Sequence, residues 1–170
     1  MPESTPSTPA IEQPVIRRAV PDDADELARL RYAFRVERRG AAEHETAFLA
    51  RCTDWMRSRL REDGPWRAWV AEREGSLIGH IWVQTVEKIP NPGPDAEQHG
   101  YLSNFFVIPR ERNTGAGTQL LRAAVGHCRS IGVDAVFLWP TERSRPLYQR
   151  IGFQPPSDML VMDLRLPKQR

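Results

Sequence analysis

The stretch Val107-Ile108-Pro109-Arg110-Glu111-Arg112-Asn113-Thr114-Gly115-Ala116-Gly117-Thr118 decides how this 170-residue chain is read. An apolar run, Tyr101 to Ile108, stops at Pro109; a polar loop follows, and two glycines open a long helical pattern. Leu120, Leu121, Ala124, Val125 and Cys128 then place one buried stripe on a helix from Gly115 to Ile131. Where a strand turns into a helix in this way, the first helical amides have no intrahelical carbonyl and lie at the positive end of the helix dipole. Glycine removes the Cβ that would hold an anion at a distance, so the segment has the make-up of a phosphate cradle. A loop that merely turns the chain also favours glycine, and the segment alone leaves both readings open. There is no Gly-Lys-Ser/Thr ending and no third glycine in dinucleotide spacing, which sets aside the two commonest nucleotide loops.

Working outward, Val15 to Val20 reads as a strand, and Pro21-Asp22-Asp23 as the start of a helix that runs to Gly40. Leu27, Leu30, Ala33 and Phe34 form its apolar face. A second helix is expected from Glu45 to Arg61, burying Phe48, Cys52, Trp55, Met56 and Leu60, before Gly64-Pro65 stops it. Trp66–Glu72 and Leu77–Val86 make a hairpin around Arg73-Glu74-Gly75-Ser76. The proline-rich segment Lys88–Gly100 reads as a loop that could serve as a lid over a binding site. Val133–Trp139 reads as a strand buried on both faces, Glu142–Arg150 as a short helix, and Phe153–Pro155 and Met159–Leu164 as the last strands. The order β-α-α-β-β-β-α-β-α-β-β describes an α/β domain with a mixed sheet over residues 15–166.

Composition narrows the function by exclusion. The 40% hydrophobic and 27% charged content is ordinary for a globular domain, and a net charge of +2, spread along the chain, gives no reason to expect nucleic acid or an anionic membrane surface. Cys52 and Cys128 have no partner at short spacing, which suits a reducing compartment, and no metal is expected. No apolar run reaches membrane-spanning length. Residues 1–14 carry four prolines among Ser and Thr, with no signal-peptide pattern, and read as a disordered leader; the cytoplasm is the expected location.

Two motifs in the right order carry a resemblance. Arg112-Asn113-Thr114-Gly115-Ala116-Gly117, preceded by Val107-Ile108-Pro109, resembles the acetyl-CoA loop of GNAT N-acetyltransferases, and Tyr148-Gln149-Arg150-Ile151-Gly152-Phe153 resembles their second hallmark. The resemblance implies the GNAT fold and transfer of an acetyl group from acetyl-CoA to a primary amine of a small molecule, by direct attack in a ternary complex. The alternatives are a protein N-terminal or lysine acetyltransferase and a non-catalytic acyl-CoA-binding module.

The resemblance also implies roles. Pantetheine would lie along Phe105, Phe106 and Val107, in a gap splayed by a bulge between that strand and the one ending at Trp139. The amides of Asn113, Thr114, Gly115, Ala116, Gly117 and Thr118 would hold the pyrophosphate with Arg112 nearby. Tyr148 would protonate the departing thiolate, against the alternative of a core tyrosine. Thr141 stands where many relatives carry a CoA-bonding asparagine. Trp82 and Trp139 are candidates for the acceptor pocket. The general base stays open among Glu142, His80, His99, Glu37 and a water relay, with Glu142 placed beside Tyr148 in the catalytic set. A homodimer through the last strands is a further expectation.

Overall fold

The computed structural model describes residues 13–40, 43–90, 92–93, 97–162 and 164. The expected leader therefore lies, apart from Gln13 and Pro14, outside the described residues, as do parts of the expected lid and the end of the domain. The chain divides into two compact units, residues 1–139 and 140–170.

The first unit holds β1 (Val15–Arg18), α1 (Ala24–Arg39), α2 (Glu45–Arg59), β2 (Trp66–Arg73), β3 (Ser76–Glu87), β4 (Gln98–Val107), α3 (Ala116–Ser130) and β5 (Ala135–Phe137). The strands lie in chain order in one sheet, antiparallel from β1 to β4 and parallel between β4 and β5. Short 3-10 turns, Pro21–Asp23 and Pro109–Glu111, lead into α1 and towards α3.

Local chemistry accounts for these elements. The Asp23 carboxylate accepts the Val20 amide at 2.7 Å and binds both Arg17 guanidinium Nη atoms at 2.8 Å, which fixes the entry to α1. Gly40, at φ +71°, ends that helix. Glu74 and Gly75 both have positive φ, as a two-residue hairpin turn between β2 and β3 requires. One face of the sheet packs on α1 and α2 through Leu27, Leu30, Met56, Leu60, Val70, Trp82 and Phe106. The stripe read on α3 is buried as expected: Leu120, Leu121 and Ala124 are fully enclosed, with Val125 and Cys128 beside them.

Several boundaries move. Residues 98–100 belong to β4, because His99 and Gly100 pair with β3 on one side and β5 on the other. β5 is only Ala135–Phe137 and half exposed, so the expected strand buried on both faces is a short edge strand. Trp55 is 41% exposed instead of lying on the buried side of α2, although its ring packs edge-on against Trp66.

In the second unit α4 spans Arg145–Ile151, starting three residues later than expected, and Gly152 caps it at φ +107°. No strand forms among the described residues after α4: 153–155 and 159–162 have no ladder partner, so the two terminal strands of the expected order are absent there. Met159, Leu160, Val161 and Met162 are all exposed. Their β-prone composition is insufficient without a partner, because strand formation depends on the neighbour that supplies hydrogen bonds and packing.

Candidate functional site

The site is built around β4. Between His80↔Phe106 and Trp82↔Ser103 the register shifts, so two steps along β3 face three along β4. That extra residue is a β-bulge, and Asn104 sits in it at φ +49°, a conformation that asparagine tolerates better than most residues. The Asn104 side-chain oxygen accepts a bond from Arg31 Nη1 of α1 at 2.9 Å. Just past the bulge Gly79 faces Val107, and a Cβ on Gly79 would lie 2.8 Å from the Phe106 carbonyl oxygen. Only glycine lets the two backbones approach this closely.

On the other edge of β4 the parallel ladder with β5 stops at Tyr101↔Phe137, while β4 continues to Val107. Among the described residues no strand pairs with 102–107, which include Phe105, Phe106 and Val107, on that side. The bulge lies between β4 and β3, not against the strand leading to Trp139 as expected; it redirects β4 at the point where pairing with β5 has already ended. Tyr101, Phe137 and Trp139 cluster there, with ring centroids 5.3 Å apart for Tyr101–Phe137 and Tyr101–Trp139, and Trp139 is 60% exposed.

The loop after β4 delivers the chain to α3. Asn113 (φ +66°) and Gly115 (φ +92°) turn it, and Gly115 is the residue that caps α3 without a side chain. The start of α3 thus presents the backbone of Ala116, Gly117 and Thr118, whose amides have no carbonyl one turn earlier in the helix. Two ion pairs brace the loop from below. Glu111 meets Arg73 of β2, with both side chains almost buried. Arg112 donates from Nη2 to Glu37 of α1 at 2.6 Å and from Nε to the Val107 carbonyl at 2.9 Å, with its guanidinium over the Phe106 ring. Thr114 Oγ1 donates to the Glu111 carbonyl at 2.8 Å. Arg112, anchored on Glu37, and Thr114, bonded to the Glu111 carbonyl, therefore hold the loop in shape.

In the second unit Tyr148 is buried, and burial pushes its phenol up to about 12, with a bond to the Ser144 side chain acting the other way. Its ring meets Phe153 edge-on at 5.7 Å. Thr141 and Ser144 bond reciprocally, Thr141 N to Ser144 Oγ at 2.9 Å and Ser144 N to Thr141 Oγ1 at 3.2 Å, which closes the turn before α4. Glu142 faces solvent and pairs with Arg145 at 3.0 Å, the geometry of a surface pair three residues apart.

Two remaining candidates are in the core. Trp82 is 1% exposed and packs against Trp55 and Trp66, so it lines no surface in this structure. His80 is fully buried opposite Phe106; neither ring nitrogen has a hydrogen-bond partner among the described residues, and desolvation, with Arg31 adding repulsion, pushes it down to about 3. Neutral at physiological pH, it has no route to solvent as it stands. His99 is half-buried on β4 with its ring 6.4 Å from Phe137. The sequence reading missed Asn104, Arg31 and the Arg73–Glu111 pair. A single Asn inside the apolar run 101–108 was the one local signal for the bulge; the others are contacts across 73 and 38 residues of chain. Among the described residues no group of His, Cys, Asp and Glu could hold a metal, and no helix is long and apolar enough to cross a membrane.

Residues 27–153 match the family model described as the acetyltransferase (GNAT) family. The chain is 30% identical to a GCN5-related N-acetyltransferase from Ralstonia eutropha JMP134, covering 88% of this chain and 98% of that one with a TM-score of 0.71. An acetyltransferase from Clostridium acetobutylicum, crystallised with acetyl-CoA, shares the fold at a TM-score of 0.72 and 21% identity, covering 89% of this chain and 97% of its own. A mycothiol acetyltransferase from Sanguibacter keddieii is 32% identical over 145 residues, 81% of this chain. The chain spans 42% of that relative's length and 40% of its counterpart in Propionibacterium freudenreichii subsp. shermanii, to which it is 30% identical.

Proposed function

Because the chain belongs to the acetyltransferase (GNAT) family, we propose that it moves an acetyl group from acetyl-CoA to a primary amine of a small molecule, by direct attack while both substrates are bound. The observation that supports this reading is the end of the β5 ladder at Tyr101↔Phe137, after which β4 runs on to Val107 and the chain leads to the glycine-led start of α3. An extended pantetheine arm has amides that can take the place of a missing strand, and a diphosphate suits the amides of residues 113–118. Asn113 and Gly115 give that loop its shape, while Glu111 and Arg112 fix it to β2 and α1 before any ligand arrives. Such pre-organisation reduces the entropy lost on binding.

In the proposed reaction the amine nitrogen, in its neutral form, attacks the thioester carbonyl carbon. A backbone N–H of β4 at Phe105 or Phe106 stabilises the charge that develops on oxygen. The carbon–sulfur bond then breaks, the thiolate takes the phenolic proton of Tyr148, the amine's surplus proton passes to solvent, and the Tyr148 phenolate regains a proton from solvent. With its pKa raised by burial, the Tyr148 phenol is fully protonated at neutral pH, as a general acid must be. Glu142, paired on the surface with Arg145, is given no part in this scheme. Relatives named for acetylation of mycothiol, a small molecule, favour a small acceptor over a protein.

The test is calorimetry with acetyl-CoA, followed by assay of CoA release across an amine panel. Tyr148→Phe is expected to lower kcat by about 10²–10⁴ while leaving the affinity for acetyl-CoA nearly unchanged. Unaltered turnover in that variant removes the acid role, and absence of any heat with acetyl-CoA removes the whole reading.

A further inference from the structure

Along α1 the buried stripe changes character. Ala24, Leu27 and Ala28 are completely enclosed, but the same side of the helix continues as Arg31, Arg35 and Arg38, spaced four and three residues apart. Arg31 and Arg38 both lie over the Phe34 ring, at 5.6 and 5.5 Å from its centroid. Among the described residues Arg31 donates a hydrogen bond to the neutral amide of Asn104, in the bulge of β4. Among the described residues no carboxylate lies within ion-pair distance of Arg31, Arg35 or Arg38; nearby Glu37 is engaged by Arg112 and Glu43 by Arg51. Burial holds the Arg31 guanidinium below its ordinary value, with Arg35 and Arg38 pushing in the same direction. Half-buried positive charge without a counterion is costly, as at Arg31 and Arg35, and the exposed Arg38 on the same helix side adds repulsion. A stretch of helix that could have continued its apolar stripe instead places the Arg31 guanidinium, with no carboxylate partner among the described residues, at the bulge of β4.

We propose that Arg31, supported by Arg35, binds a carboxylate or phosphate group on the acceptor, so that the amine this protein acetylates belongs to an anionic molecule. The inference rests on the acetyltransferase reading and narrows its substrate class. A guanidinium fork takes an oxyanion in two parallel bonds, and the Asn104 bond sets the plane of that fork. Repulsion works in the same direction: an acceptor whose only charge is its ammonium meets uncompensated positive charge, whereas one carrying an acidic group brings the missing counterion. The overall charge of +2 gave no hint of this, because the effect comes from where three arginines lie and not from their number.

Matched acceptors decide the matter: amino acids against their amides, and an amino sugar phosphate against the free amino sugar. At least one acidic member is expected to exceed its neutral counterpart in kcat/KM by about 10–100-fold, the range for a charge-assisted hydrogen bond. Arg31→Met is expected to erase that preference by raising KM for the acidic acceptor, with acetyl-CoA affinity by calorimetry unchanged; Arg31→Lys is expected to restore part of it. Inorganic phosphate, added with saturating CoA so that the loop before α3 is already occupied, supplies a readout that needs no acceptor: it should raise the melting temperature of the wild-type chain further and not that of Arg31→Met. Should Arg31→Met fold poorly, Arg35→Met carries the same comparison. Equal use of neutral and acidic amines, or a preference that survives both substitutions, overturns the proposal while leaving acetyl transfer intact. A change in acetyl-CoA affinity instead assigns the arginines to the phosphates of CoA and overturns it as well. If acetyl-CoA does not bind at all, the underlying reading falls first.

Discussion

The loop before α3 and the arginine side of α1 are both proposed to meet negative charge, yet they would do so by opposite means. At the loop, backbone presents the donors, and the charged side chains of Glu111 and Arg112 are already neutralised by Arg73 and Glu37. On α1 the side chains are the donors, and Arg31, Arg35 and Arg38 meet no carboxylate among the described residues. A main-chain cradle costs little to leave empty, because amides at a helix start are readily solvated. Half-buried guanidinium groups carry a standing penalty, which makes their retention informative about what they meet. The first arrangement suits a ligand shared by a whole family, the second a ligand particular to one member.

Substitutions separate the two regions. The largest effect is expected from Glu111→Ala, which leaves Arg73 charged and nearly buried without its partner: loss of about 3–5 kcal/mol in unfolding free energy, together with weaker acetyl-CoA binding. Arg73→Met combined with Glu111→Ala should recover much of that stability in denaturant titrations, because the orphaned charge is gone. If the single variant is as stable as the parent, the loop is not braced by this pair.

His80 sharpens the other side. Its folded-state pKa near 3 lies below the ordinary value of 6.5, so between those limits the unfolded chain binds the extra proton. Stability from this group is therefore complete above pH 6.5 and falls on acidification, at up to about 1.4 kcal/mol per pH unit down to pH 3. His80→Leu is expected to flatten that acid slope in thermal melts while changing stability at neutral pH by only about 1 kcal/mol. A variant with the parent's slope would show that other groups control the acid limb.

A smaller loss of stability than that of Glu111→Ala is expected from Gly115→Val. A β-branched residue at φ +92° costs about 1–2 kcal/mol, and relaxation of the loop should weaken acetyl-CoA binding by tenfold or so. Acceptor preference should stay as it was, since the α1 arginines are untouched. Loss of acceptor preference in this variant would join the two regions into one site and break the contrast drawn above.

How much could be read in advance follows the same division. The strand before Pro109, the glycine-led α3 and its stripe of Leu120, Leu121, Ala124, Val125 and Cys128 were legible, because each rests on residues within one or two helical turns of one another. The hairpin turn at Glu74-Gly75 was legible for the same reason. Misreadings clustered where a partner decides the outcome. Residues 98–100 looked like loop until two neighbouring strands paired with them, and 159–162 looked like strand but have no ladder partner. Trp82, proposed for a pocket, is enclosed by two other tryptophans.

The order of elements from β1 to α4, the glycine-led loop before α3 and the identity of the family are properties of the linear chain, set by periodicity, glycine placement and spacing, which act over short distances. Where β4 kinks, where β5 leaves it, and which arginines lack a counterion were decided only when residues such as Arg31 and Asn104, 73 positions apart, were brought within 2.9 Å. Charge neutralisation and strand pairing are properties of neighbours in space, and a single sequence does not specify those neighbours until the chain is folded.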